Sequence, residues 1–372
     1  MRKGTLGLSL LLIFTLIPAY SATPPKAGLS CAKQGMTKTY QGKKFTCIKS
    51  GKRLAWNKGE KIQTKNVNEN GTSIPNPSKG PFSTWPSDFQ LLDLVNEALN
   101  GTDMYFGKVT PQRNYDLVLD SKVSEEDLQW ITSTLDYVSG SFSNISRDRL
   151  RVYLGTNHDW SRETFRSEKT WIGDPSTPYP CSQGIYEAYC ADNNKILLLY
   201  SDIYKLNSNA KWDSGRRSTP AHEVFHVAQY WLYGPMNFVG ASDPRYLPVW
   251  LKEGTAQFYG LYVVERLGLG SYLSVRDQQV RYAQEYKVSV PLSEYQSYGQ
   301  SKNGVPLNPY GIGQAATEYL IAAVGFSNVL DIFRLTKEKG SFKEGFKEAV
   351  GISISDFYKK FENARKSMQI GS

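Results

Sequence analysis

The first apolar stretch of the chain is a run from Leu6 to Ile17, behind Arg2 and Lys3 and ahead of Ala19-Tyr20-Ser21-Ala22. A charged start, a short apolar run and a small-residue exit outline a cleavable signal peptide over residues 1–22. The run is about a dozen residues, short of the roughly 20 that cross a bilayer, so the mature chain is expected to have no transmembrane segment. Lipidation at Cys31 is not expected either, because Pro24, Pro25 and Lys26 separate that cysteine from the run. Short β-prone pieces such as Lys44-Phe45-Thr46-Cys47-Ile48 then alternate with Gly- and Lys-rich turns, and Trp56 is available to cap a tiny core. These define a small module over residues 23–61. Residues 62–84 lose nearly all apolar content and collect Asn, Pro, Ser and Gly, as a linker does.

From residue 85 the pattern becomes that of a larger domain, continuing to residue 372. Tyr115 to Leu119 reads as a strand. Ser124-Glu125-Glu126-Asp127 opens a helix whose Leu128, Ile131, Leu135 and Val138 share a face. Arg149 to Leu154 and Lys195 to Tyr200 are the next strands, and nearly everything after residue 218 has helical periodicity. The expected fold class is α+β: a small mixed sheet followed by a mainly helical half, plus the small N-terminal module. No repeat of 20 to 50 residues is present.

An exported chain makes cysteines informative, since oxidising compartments permit disulfides. Four cysteines allow three complete pairings. The expectation is local pairing, with Cys31–Cys47 stapling the module and Cys181–Cys190 closing a short loop. No two cysteines have the spacing of a zinc knuckle. The net charge of +9 falls to +7 without Arg2 and Lys3, and it is concentrated. Residues 23–66 carry eleven Lys or Arg against one acid, Glu60. A basic exported module is suited to an anionic surface such as the cell envelope, or simply to solubility. No motif for specific nucleic-acid recognition accompanies the charge. The expected location is secreted, extracellular or associated with the envelope.

Two of the three histidines lie four apart in His222-Glu223-Val224-Phe225-His226. Thr219 offers an N-cap and Pro220 a first helical position, so the pattern predicts a helix starting there. Four residues advance a helix by about 6 Å and a little over one turn, which puts both imidazoles on one side. Glu223 is rotated by roughly 100° and can reach a bound water without ligating the metal. Two ligands leave a zinc under-coordinated, so a third donor is required. Pro248-Val249-Trp250-Leu251-Lys252-Glu253-Gly254-Thr255-Ala256 supplies one, because Glu253 is a carboxylate inside an apolar helical run and ligation would offset the cost of burying it.

The segments Thr219 to Gln229 and Trp250 to Ala256 resemble the active-site helix and the third-ligand helix of gluzincin metallopeptidases. Pro309-Tyr310-Gly311-Ile312-Gly313 with Glu318-Tyr319-Leu320-Ile321 is similar to the tyrosine-bearing helix of that clan. Gly325, Phe333 and Gly351 to Phe361 resemble its helical tail. The resemblance spans about residues 85–366. It implies one zinc ion per chain held by His222, His226 and Glu253, with Glu223 as general base in the hydrolysis of a peptide or protein. It also implies Tyr310 as the oxyanion donor; the other candidate for that role is His158 at a strand end, which is read as a surface residue. By the same resemblance Lys195, Leu197 and Leu199 belong to an edge strand that takes up an extended peptide. The chain lacks the Gly-Ala-Met-Glu-Asn segment of aminopeptidase N-like members, so endopeptidase action is the expectation. Two alternatives stay open: an exported cell-surface binding protein with an inactive peptidase-like domain, and a zinc hydrolase of a non-peptide amide or ester.

Overall fold

The computed structural model describes residues 26–61 apart from 32, 36, 41–42 and 52. It further describes 85, 91–145, 148–172, 188–192, 194–200, 210–234, 242–276, 290–302 and 305–365. The signal peptide expected over 1–22, the linker expected over 62–84, and Cys181 lie outside these residues. The chain divides into two compact units, residues 1–73 and 74–372.

The first unit is a small antiparallel sheet built on its longest strand. That strand, β2 (Lys43–Ser50), pairs with β1 (Thr37–Tyr40), β3 (Arg53–Trp56) and β4 (Glu60–Lys61). The two-residue period of β2 turns Phe45 and Cys47 inward, and Trp56 lies opposite Cys47 across the β2–β3 pair. The Cys31–Cys47 disulfide closes this core, as expected. A core of three buried side chains is too small to hold a fold by burial alone, which is why a covalent link belongs here.

The second unit begins with α1 (Leu91–Phe106) and then a four-stranded sheet in the order β5 (Tyr115–Leu119), β6 (Leu150–Gly155), β8 (Lys195–Leu199), β7 (Ala188–Asp192). The first three strands are parallel, and β7 is antiparallel at one edge. Between β5 and β6 runs α2 (Glu125–Ser141). Its start follows from the sequence: the Ser124 side chain accepts from the Asp127 amide, and three acids in the first turn complement the helix dipole. Helix α3 (His158–Glu168) is capped in the same way by Asn157. Strand alternation divides the sheet's two faces. Val152, Leu154, Ile196 and Leu198 join the main core, whereas Tyr153, Leu197 and Leu199 pack with Phe165 of α3 and Ile172.

This sheet corrects one expectation. Lys195, Leu197 and Leu199 do not line a free edge, because β8 is hydrogen-bonded to β6 on one side and to β7 on the other. Leu197 and Leu199 are fully buried, and the Lys195 ammonium donates to Thr170 Oγ1 at 2.6 Å. A strand with both ladders filled has no backbone groups left for a peptide. The run of four consecutive apolar residues was itself the mark of a strand buried on both faces.

The helical half comprises α4 (Ala210–Tyr233), α5 (Val249–Leu267), α6 (Pro309–Val324), α7 (Phe326–Lys339), α8 (Phe342–Val350) and α9 (Ile354–Arg365). A second expectation is corrected here. Thr219 and Pro220 do not start a helix, since α4 begins at Ala210 and Pro220 lies inside it. Proline normally ends a helix because it lacks an N–H and crowds the preceding turn. Ser218 and Pro220 are both buried, and tertiary packing carries the helix through.

Helix α5 lies at the centre of this half, buried along nearly its whole length between α4 and α6. Two close approaches fix it. A Cβ on Gly254 would sit 2.2 Å from the carbonyl carbon of Gly313, so α5 and α6 touch backbone to backbone. A Cβ on Gly260 would meet the Ser218 carbonyl oxygen at 2.7 Å, which seats α5 against α4 one turn before His222. Among the described residues no single helix is long and apolar enough to cross a membrane.

Candidate metal centre

The three helices meet where the chemistry-bearing residues lie. His222 and His226 project from α4 and Glu253 from α5, with His222 and Glu253 buried and His226 partly so. The His222 and His226 Nε2 atoms are 3.0 Å apart. Glu253 Oε2 lies 3.3 Å from the first and 3.4 Å from the second. A tetrahedral site with bonds of about 2.0–2.1 Å has edges of about 3.3–3.4 Å. The three donor atoms therefore already form something close to one face of such a tetrahedron. Among the described residues this is the one group of three or more His, Cys, Asp or Glu side chains arranged to hold a metal ion. Two imidazoles and a carboxylate suit several divalent transition metals, and zinc is one of them.

The electrostatics of the group are reciprocal. Burial would raise the Glu253 carboxyl, but His226 and His222 beside it hold it well below the usual carboxylate range. Burial would lower His226, yet the Glu253 charge outweighs it and holds the imidazole at about 9. Glu223 is a different case. It is buried beside the ligands without belonging to their group, and desolvation pushes its carboxyl up against the pull of both histidines.

Behind His226 is a network that fixes its orientation. Gln229, fully buried and three residues further along α4, donates through its amide to the Lys252 carbonyl at 2.9 Å and to Thr255 Oγ1 at 2.8 Å. The Lys252 carbonyl can only accept, so the amide NH2 must face it. Gln229 Oε1 then faces His226 Nδ1 at 2.9 Å. Nδ1 therefore carries a proton, and Nε2 is the nitrogen turned toward Glu253 and His222. Thr255 completes the network by donating to the Leu251 carbonyl at 2.7 Å.

Tyr310 stands at the start of α6, where the Asn308 side chain caps its amide, and its ring lies 6.1 Å from that of His222. The Gly254–Gly313 contact explains this proximity, because it docks the first turn of α6 beside the turn of α5 that carries Glu253. His158 is elsewhere: it opens α3, and it is buried rather than on the surface. Cys190 lies on β7 and is disulfide-bonded, while its expected pairing with Cys181 falls outside the described residues.

Two residues of the site were not singled out by the sequence reading. One is Gln229 as the partner of His226. The other is Tyr298, whose hydroxyl donates to Glu253 Oε1 from a loop far along the chain. The helical i,i+3 spacing from His226 was a signal for Gln229, whereas nothing periodic points to Tyr298. No family model, characterised protein or solved structure matches the chain.

Proposed function

We propose that the chain is an exported zinc-dependent metallopeptidase of the gluzincin kind, with one zinc ion held by His222, His226 and Glu253. The observation that carries this reading is the triangle of donor atoms at 3.0, 3.3 and 3.4 Å with a buried carboxylate, Glu223, one residue from the first ligand. When bound, zinc supplies Lewis acidity that brings the pKa of a coordinated water toward about 7. Glu223 takes a proton from the attacking water and passes it to the leaving amine, a role that suits a carboxylate raised above its ordinary range. Tyr310 donates to the oxyanion that develops on the scissile carbonyl. The peptide bond as substrate rests on the likeness of three segments to gluzincins, and endopeptidase action on the absence of an amino-terminus anchor.

Metal analysis by mass spectrometry, paired with casein cleavage, tests this reading. About one zinc per wild-type chain is expected, lost in Glu253→Ala and retained in Glu223→Gln. Cleavage in Glu223→Gln falls by about 10²–10⁴-fold. Folded protein that takes up no zinc on reconstitution overturns the proposal. Zinc uptake without cleavage of any protein substrate favours the binding-protein alternative.

A separate role is proposed for the N-terminal unit: attachment to an anionic polymer of the cell envelope. Lys26, Lys33, Lys49, Arg53 and Lys58 are exposed, and among the described residues none of them is in an ion pair. Concentrated, unneutralised positive charge binds polyanions by counterion release, so retention on an immobilised anionic polymer should fall steeply with added salt. Retention that ignores salt, or equals that of a chain lacking residues 23–61, removes this role.

A further inference from the structure

Tyr298 is a large aromatic residue with 57% of its surface exposed, yet its hydroxyl is turned inward onto Glu253 Oε1. Burial of apolar surface does not account for that arrangement, and the surrounding structure holds it in place. Helix α5 begins after Pro248, which provides no side-chain cap. Its first two amides are satisfied instead by the loop that carries Tyr298. Val249 donates to the Gln296 carbonyl at 2.9 Å and Trp250 to the Tyr295 carbonyl at 3.2 Å. The Gln300 side chain braces the same loop by accepting from the Gln296 and Ser297 amides, each at 3.0 Å. The Tyr246 hydroxyl adds a bond to the Gln296 carbonyl at 2.9 Å. The Tyr298 ring packs under the Lys252 ammonium, 5.3 Å from the ring centroid, so Tyr298 engages two consecutive residues of α5.

The consequence falls on how Glu253 presents itself. A carboxylate can offer a metal one oxygen or both, and hydrolytic sites depend on a position left open for water or substrate. Here the two oxygens are divided: Oε2 faces the two imidazoles and Oε1 accepts from the phenol. We propose that Tyr298 is a positioning residue for Glu253, occupying Oε1 so that only Oε2 is offered beside His222 and His226. This rests on the metal-centre reading above. It assigns to a loop phenol the task that Gln229 performs for His226, and it makes the cap of α5 and the orientation of its ligand one structural unit.

Tyr298→Phe isolates the hydroxyl, since the ring and its contact with Lys252 remain and the exposed position tolerates the change. The probe is cobalt(II), with affinity measured by competition against a chromophoric chelator and coordination read from visible absorption. Circular dichroism confirms folding of each protein. Wild type is expected to bind one cobalt with the intense bands of a four-coordinate site. Tyr298→Phe should bind about 10–100-fold more weakly, with the weaker bands of a higher coordination number. Equal affinity and equal spectra in the two proteins overturn the role of Tyr298 while leaving the metal centre intact. Wild-type protein that binds no cobalt or zinc overturns the metal centre, and the role of Tyr298 with it.

Discussion

At the scale of single residues, the site depends on which nitrogen of a histidine holds its proton. Imidazole can ligate through Nε2 when Nδ1 keeps a hydrogen, and at His226 the Gln229 amide enforces that arrangement. Gln229→Leu keeps the volume while removing the acceptor, so metal affinity should fall by about 10–100-fold with helix content unchanged. Chelator competition and circular dichroism on the same samples check this, and an unaltered affinity would show that packing alone orients the ring. His222, Glu223 and His226 were legible in the sequence because the i,i+4 relation is intrinsic to a helix and needs no tertiary information. Glu253 was legible as a charge in an apolar run. The acceptors that orient Gln229 lie on α5, and Tyr298 is 45 positions beyond Glu253. Contacts between elements so far apart leave no periodic trace.

At the scale of elements, the candidate ligands meet because α5 packs closely on α4 at Gly260, and Tyr310 stands beside them because α5 can approach α6 without side chains between them. Gly254→Ala would drive a Cβ into the Gly313 backbone, which cannot move aside as a flexible side chain would. Overpacking of this kind costs about 1–3 kcal/mol, so the urea midpoint should drop, and metal affinity should drop with it because Glu253 is the adjacent residue. A second constraint on α6 is a fully buried ion pair. Arg276 Nη2 donates to Glu318 Oε2 at 2.7 Å, and the Tyr272 hydroxyl donates to Oε1 at 2.7 Å. Glu318→Gln removes the carboxylate charge that Arg276 pairs with here and should destabilise by about 3–5 kcal/mol. The paired replacement Arg276→Met with Glu318→Leu should restore most of that loss; a double variant as unstable as the single would point to strain from repacking. Strand β5 was readable residue for residue, and so was the capped start of α2, since both are set by local pattern. The start of α4 and the interior place of β8 were not. In each case burial by a neighbouring element overrides a local signal, the Thr-Pro pair in one and the expectation of a free edge in the other.

At the scale of the whole molecule, the two units should unfold separately, because each has its own core. The larger core runs from Leu94 to Ala364, while the smaller consists of Phe45, Cys47 and Trp56 around the Cys31–Cys47 bond. Closing a loop between cysteines 16 positions apart contributes about 3 kcal/mol through the unfolded state, comparable to what so small a core can supply on its own. Reduction is a blunt test, since Cys190 is disulfide-bonded too. Cys31→Ala combined with Cys47→Ala removes the single link, and hydrogen exchange then reads each unit by its own amides. Trp56, which donates to the Leu29 carbonyl, and Asn57, which donates to the Thr46 carbonyl, should exchange as in an unfolded chain. The amides of α4, α5 and α6 should keep their protection, and metal affinity should be unchanged. Loss of protection in those helices as well would mean that the His222, His226 and Glu253 site depends on the basic module for its stability, and the two units would then unfold as one.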